Sequence, residues 1–174
     1  MFRENILPSA FVAVLFFISA SAFSGPSGAL SKSSCGSMVN TTLPFILVLD
    51  SGDDLHKSIT QCVKDAKLLG ASVSGLGQVS DPTLAYFSRD PTAKPTLVRV
   101  DGYFELASLN GNVSNNQDAY YTHLHAVFAH GVNGLSGHLD AAKAGMTVEV
   151  TITPLAGPVQ RIVDTRTGFG SILH

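Results

Sequence analysis

The chain has 174 residues, of which 45% are hydrophobic and only 14% charged, against about 25% charged in an ordinary soluble domain. That length suits one domain with a sizeable core rather than two. With 11 Lys and Arg against 13 Asp and Glu the net charge is -2, which argues against nucleic-acid binding by bulk electrostatics, since that needs a basic stripe.

Part of the hydrophobicity lies at the start. Ala10–Ile18 is a run of nine apolar residues, short of the roughly 20 that a spanning helix needs. Ser19-Ala20-Ser21-Ala22 follows with small residues in an A-x-A arrangement, so residues 1–22 read as a secretory signal peptide cleaved after Ala22. The expected mature protein is secreted or periplasmic. Its charge stays at -2, because the leader takes away one Arg and one Glu. No later stretch has 18 uninterrupted apolar residues, so no transmembrane segment is expected in the mature chain.

Residues 23–40 are rich in Ser and Gly, include Pro26 and show no helical or strand period. They read as a flexible linker, with the folded domain over residues 41–174. The two cysteines are Cys35, in that linker, and Cys62, on the apolar face of a predicted helix. The favoured reading makes Cys62 a small buried hydrophobe rather than half of a disulfide.

Within the domain, Pro44–Asp50 is a nearly continuous apolar run and predicts a buried strand. Ser51-Gly52-Asp53-Asp54 then offers N-caps. Leu55, Ile59, Cys62, Val63, Ala66 and Leu69 recur on one face of a helix that Gly70 is placed to stop. The rest predicts strands and turns. Ala71–Val79 and Thr83–Ser88 flank Ser80-Asp81-Pro82, and Thr96–Val100 and Tyr103–Leu109 flank the hairpin signal Asp101-Gly102. Tyr121–His130 and Leu135–Asp140 flank a turn at residues 131–134, and Met146–Thr153 ends at Pro154. The expected fold is α+β, a largely antiparallel seven- to eight-stranded sheet with one main helix packed on it.

Four of the six histidines lie between residues 123 and 138. His123 and His125 form an H-x-H pair, and alternate residues of a strand share a face. His130 has the opposite parity. A turn anywhere around residues 131–134 sets His138 opposite an odd-numbered residue, on the face of His123 and His125. Three imidazoles on one face of a hairpin suit a divalent metal and leave a fourth position open. A cupin site would want Glu three or four residues after the second His, where Phe128 and Ala129 stand. Glu105 sits in an apolar strand, either as a solvent-facing charge or as a partner or fourth ligand of the histidines. Gly75-Leu76-Gly77 lacks the third glycine and following helix of a dinucleotide loop and reads as a bulge or tight packing.

Taken together, FILVLDSGDDLHKSI, ASVSGLGQVSDPTLAYF, GYFELASLNGNVS, HLHAVF, GLSGHL and the C-terminal RIVDTRTGFGSIL resemble the PPC (plants and prokaryotes conserved) domain family, from about Phe45 to Leu173. The resemblance implies an antiparallel sheet with a packed helix, assembly as a homotrimer, and a metal unit formed by His123, His125 and His138. In plant relatives the domain follows AT hooks in nuclear DNA-binding proteins, where the G-x-F-E segment, here Gly102, Phe104 and Glu105, supports partner interactions. This chain has no Arg-Gly-Arg-Pro hook. The expectation is an exported, homotrimeric protein of the standalone type that binds a divalent metal, zinc foremost, and a small-molecule ligand, without an assigned reaction. The alternatives are a DNA-associated regulatory module and a zinc-dependent hydrolase or lyase.

Overall fold

The computed structural model describes residues 29–90, 92–116, 119–164 and 169–173. The expected signal peptide over residues 1–22 lies outside them. The described chain runs β1 (Ala29–Leu30), a 3-10 turn (Lys32–Met38), β2 (Phe45–Asp50), α1 (Leu55–Asp65), β3 (Gly70–Tyr86), β4 (Thr96–Arg99), β5 (Tyr103–Asn116), β6 (Ala119–His130), β7 (Asn133–Pro154), β8 (Arg161–Val163) and β9 (Gly170–Ile172). Seven strands form the main sheet in the order β1-β2-β7-β6-β5-β3-β4, antiparallel except for β1 on β2, and β8 pairs with β9 in a separate hairpin. The α+β expectation holds. No described helix is long and apolar enough to cross a membrane.

One predicted turn is a bend inside a continuous strand, and two predicted strands are one. β3 runs through Ser80-Asp81-Pro82, with Asp81 at φ 47° and shifts of register between Ser80 and Thr83. β7 joins the two segments expected as separate strands, Leu135–Asp140 and Met146–Thr153. Their length has a topological use. The first part of β7 pairs with β6, and from His138 onward β7 pairs with β3. The pairings β3–β5, β5–β6, β6–β7 and β7–β3 therefore close into a ring, which leaves fewer exposed strand edges. Gly75-Leu76-Gly77 is a bulge, as expected, and a Cβ on Gly77 would strike the backbone of Thr147.

The core follows from strand parity and one helix face. Phe45, Leu47 and Leu49 of β2, Val148, Val150 and Ile152 of β7, and Leu124, Ala126 and Phe128 of β6 are buried with Leu55, Ile59, Cys62 and Val63 of α1. Asp54 caps α1 by accepting from Lys57 N at 2.9 Å. The helix ends earlier than Gly70. Lys67 takes the left-handed conformation at φ 51°, with Leu68 N bonded to Val63 O and Lys67 N to Lys64 O. That is a Schellman closure made without glycine, and it leaves Leu69 exposed.

Two expectations at the N-terminal side are corrected. Cys35 and Cys62 are joined in a disulfide, with Cα atoms 5.2 Å apart. Residues 29–38, expected within a flexible linker, are packed on the domain: β1 pairs with Ile46 and Leu47, Cys35 is fully buried, and Lys32 pairs with Asp53. Closing a loop of 27 residues stabilises the fold by about 3.5 kcal/mol in the chain-entropy picture. Composition conceals this, because the segment is ordered by contacts with α1 and β2 rather than by its own propensity.

Candidate metal centre

β6 alternates between core and outer face. Thr122, Leu124, Ala126 and Phe128 point inward, and Thr122 Oγ1 meets Thr60 Oγ1 of α1 at 2.6 Å. His123 and His125 consequently share the opposite face. The β6–β7 register sets His125 directly across from His138, as the parity argument requires. The three rings lie 5.0 to 5.3 Å apart, centre to centre. One ligand nitrogen from each lies within 4.8 Å of the other two. His130, of opposite parity, stands beside Phe104 instead, 5.5 Å between ring centres.

β5 supports the site from behind. Asn110 pairs with His125 and Asn112 with His123, while Gly111 faces Leu124. A Cβ on Gly111 would collide with the carbonyl oxygen of His123, so the absent side chain lets β5 and β6 approach at the position that aims the triad.

The triad lines a cavity of about 510 Å³ whose other walls include Phe87, Tyr121, Arg161 and Phe169. Phe87 meets His138 edge-on at 5.1 Å and Phe169 at 5.2 Å. Arg161, on β8, donates from Nη2 to His123 Nδ1 at 3.1 Å and to Asn112 Oδ1 at 2.8 Å, and from Nη1 to Gly170 O at 2.6 Å. Asn116 fixes the backbone of Arg161 by two hydrogen bonds, at 2.6 and 2.8 Å.

Desolvation first, and then the Arg161 charge, push the His123 imidazole down to about 4. Desolvation followed by the charges of His125 and His56 lowers His138, with Asp140 opposing. Both are therefore neutral at pH 7, the protonation state that a metal ligand requires.

The segment expected to support partners or the histidines lies elsewhere. Gly102 forms the β4–β5 turn at φ 111° and donates to Asp81 Oδ1 at 2.8 Å. Glu105 is exposed, accepts from Gln78 Nε2 at 3.3 Å and pairs with Ala129. Ala129 lies four residues beyond His125 on β6, a displacement of about 13 Å along the strand. Among the described residues the cluster that could hold a metal ion contains the three histidines alone. The charged side chain hydrogen-bonded to the triad is a cation, Arg161, to which the sequence pattern assigns no role. It lies 38 residues from His123, and no spacing rule could have found it.

A model of the Plants and Prokaryotes Conserved (PCC) domain matches residues 36–156. Among solved structures, a metal-containing protein from Archaeoglobus fulgidus is 27% identical, with a TM-score of 0.70, over 76% of this chain and 94% of that one. A plant- and prokaryote-conserved protein from Pyrococcus horikoshii is 20% identical, with a TM-score of 0.69, over 76% and 92%. A candidate DNA-binding protein from Bacteroides thetaiotaomicron is 22% identical, with a TM-score of 0.70, over 74% and 90%. The latter two likenesses are of fold. No curated protein matches the sequence significantly.

Proposed function

The chain belongs to the Plants and Prokaryotes Conserved domain family, and from that premise we propose that it is an exported, homotrimeric member that binds a divalent metal through His123, His125 and His138. The observation that carries the metal reading is the convergence of three imidazole nitrogens within 4.8 Å. A tetrahedral zinc site with bonds of 2.0–2.1 Å needs nitrogens about 3.3 Å apart, within reach of small side-chain rotations. Neutral imidazoles suit zinc and its transition-metal neighbours, whereas magnesium and calcium prefer oxygen donors. The metal-containing relative from Archaeoglobus fulgidus supports the same reading. A bound zinc would supply a Lewis-acid position open to a ligand from the cavity.

The cavity of about 510 Å³ beside the triad is of the size that holds a small molecule, and a binding role is preferred to catalysis. Export is supported by the leader-like Ala10–Ala22 segment and by the Cys35–Cys62 disulfide, which belongs to an oxidising compartment. Trimer formation is supported by the apolar side chains of Ile46 and Leu76, which the sheet leaves exposed. The Gly102-Phe104-Glu105 segment is assigned to contact with partners. With a net charge of -2, DNA association is the weaker reading.

Metal analysis of the purified mature protein tests the centre. One zinc per chain is expected, reduced to background in a His123→Ala, His125→Ala, His138→Ala triple variant. Failure to take up metal in zinc-supplemented medium overturns it. Light scattering should give three chains per particle, and N-terminal sequencing of exported protein should begin at Phe23.

A further inference from the structure

We propose that Arg161 is the anchor for a carboxylate ligand of the triad cavity, and that it is freed for this role when the triad takes its metal. The proposal rests on the metal reading above and adds the ligand class.

A guanidinium has donors only. The 3.1 Å contact from Arg161 Nη2 therefore occupies the lone pair of His123 Nδ1. A neutral imidazole whose Nδ1 accepts carries its proton on Nε2, so neither nitrogen of His123 offers a metal a lone pair while this contact stands. Coordination through Nδ1 takes the lone pair that Arg161 uses. Coordination through Nε2 moves the proton to Nδ1, which then meets Arg161 donor to donor. By either route, His123 joins His125 and His138 only when the Arg161 bond breaks.

Arg161 nevertheless keeps its place. Nη2 still bonds Asn112 Oδ1, Nη1 still bonds Gly170 O, and Cζ lies 5.2 Å from the Tyr121 ring centre. Its Nε is buried without a hydrogen-bond partner, and among the described residues no carboxylate forms an ion pair with the guanidinium. Three of its five N–H groups are used before metal entry, and two afterwards. The result is a fixed, uncompensated cation with one Nη1 and one Nη2 hydrogen to offer, in the wall of a cavity beside the open metal position. A carboxylate matches that pair of donors. The ring edges of Phe87 and Phe169 favour an apolar or aromatic body behind it. Inorganic phosphate shares the fork chemistry but has no such body.

Cobalt(II) can report this in the intact mature protein, because its visible spectrum responds to its donor set. Benzoate should perturb the cobalt spectrum and bind at least tenfold more tightly to cobalt-loaded than to metal-free protein. By linkage, benzoate should tighten cobalt binding by the same factor. Benzamide, of the same shape without the charge, should bind at least tenfold more weakly, and phosphate more weakly than benzoate. Arg161→Gln should bind cobalt at least as tightly as the parent, having lost the competitor for His123, yet weaken benzoate at least tenfold. Arg161→Lys should fall between. Equal binding of benzoate and benzamide to the parent overturns the proposal without any variant. Tighter phosphate than benzoate, or undiminished benzoate binding by a folded Arg161→Gln protein, also overturns it. Cobalt binding without a benzoate response removes the Arg161 assignment alone, whereas failure to bind cobalt removes the metal reading and this proposal together.

Discussion

The ladder of β5, β6 and β7 and the two segments that flank the domain are ordered in opposite ways. The ladder holds His123, His125 and His138 by continuous strand pairing, each residue aimed by its neighbours' register. The flanking segments are pinned at a few points: residues 29–38 by the Cys35–Cys62 bridge and the short β1–β2 pairing, and β8 by Asn116 and the side chain of Arg161. Distributed pairing gives a rigid donor set. Point attachment gives parts whose position depends on one or two bonds and that can respond to what the site holds.

Removing a pin should therefore cost stability and spare the donors. The Cys35→Ser, Cys62→Ser double variant should lose about 3.5 kcal/mol, lowering Tm by roughly 10 °C, with metal affinity within about threefold of the parent. A large loss of metal in a folded variant would show that the two regions are coupled. In contrast, His138→Ala should leave the fold intact in calorimetry and weaken zinc about 100-fold or more, since metal-ligand loss exceeds the 10- to 100-fold effect of removing an outer partner.

Gly111→Ala tests the ladder itself. Its Cβ meets the carbonyl of His123, and over-packing of this kind costs about 1–3 kcal/mol. Both Tm and metal affinity should fall, the joint loss that separates the ladder from the pins. Asn116→Ala removes the two bonds to the Arg161 backbone. Hydrogen exchange should quicken over residues 161–163, with a stability loss of about 1–2 kcal/mol. The smallest effect is read by proton resonances of the metal-free protein. His123 should titrate near pH 4 in the parent and at higher pH in Arg161→Gln. Between that value and about 6.5, the ordinary value for an unfolded histidine, the unfolded chain binds more protons at this site. The His123 contribution to stability should therefore decline as pH falls through that window.

The site divides along the same line. H-x-H periodicity and a turn confined to residues 131–134 were enough to place three imidazoles on one face, because strand parity is a local rule and survives uncertainty in the turn. The helix and the buried strands were legible for the same reason. The merging of predicted strands into long β3 and β7 was not. Asp81-Pro82 carries turn chemistry, yet in the ring of strands it makes a bend within one strand, across which the pairing with β7 shifts register. The early end of α1 has no local signal, because Lys67, rather than a glycine, adopts the left-handed conformation.

By itself the sequence determined the fold class, the family and the gathering of three histidines on one face, all of which rest on short-range periodicity or on motif order. Only the tertiary structure joined Cys35 to Cys62, ordered the Ser- and Gly-rich segment around that bridge, moved Glu105 away from the histidines and set Arg161 against His123. These are meetings of residues distant in the chain, fixed by how strands close and which segments they cover. No local propensity encodes them, which is why the donors of the site were readable in the sequence and the cation beside them was not.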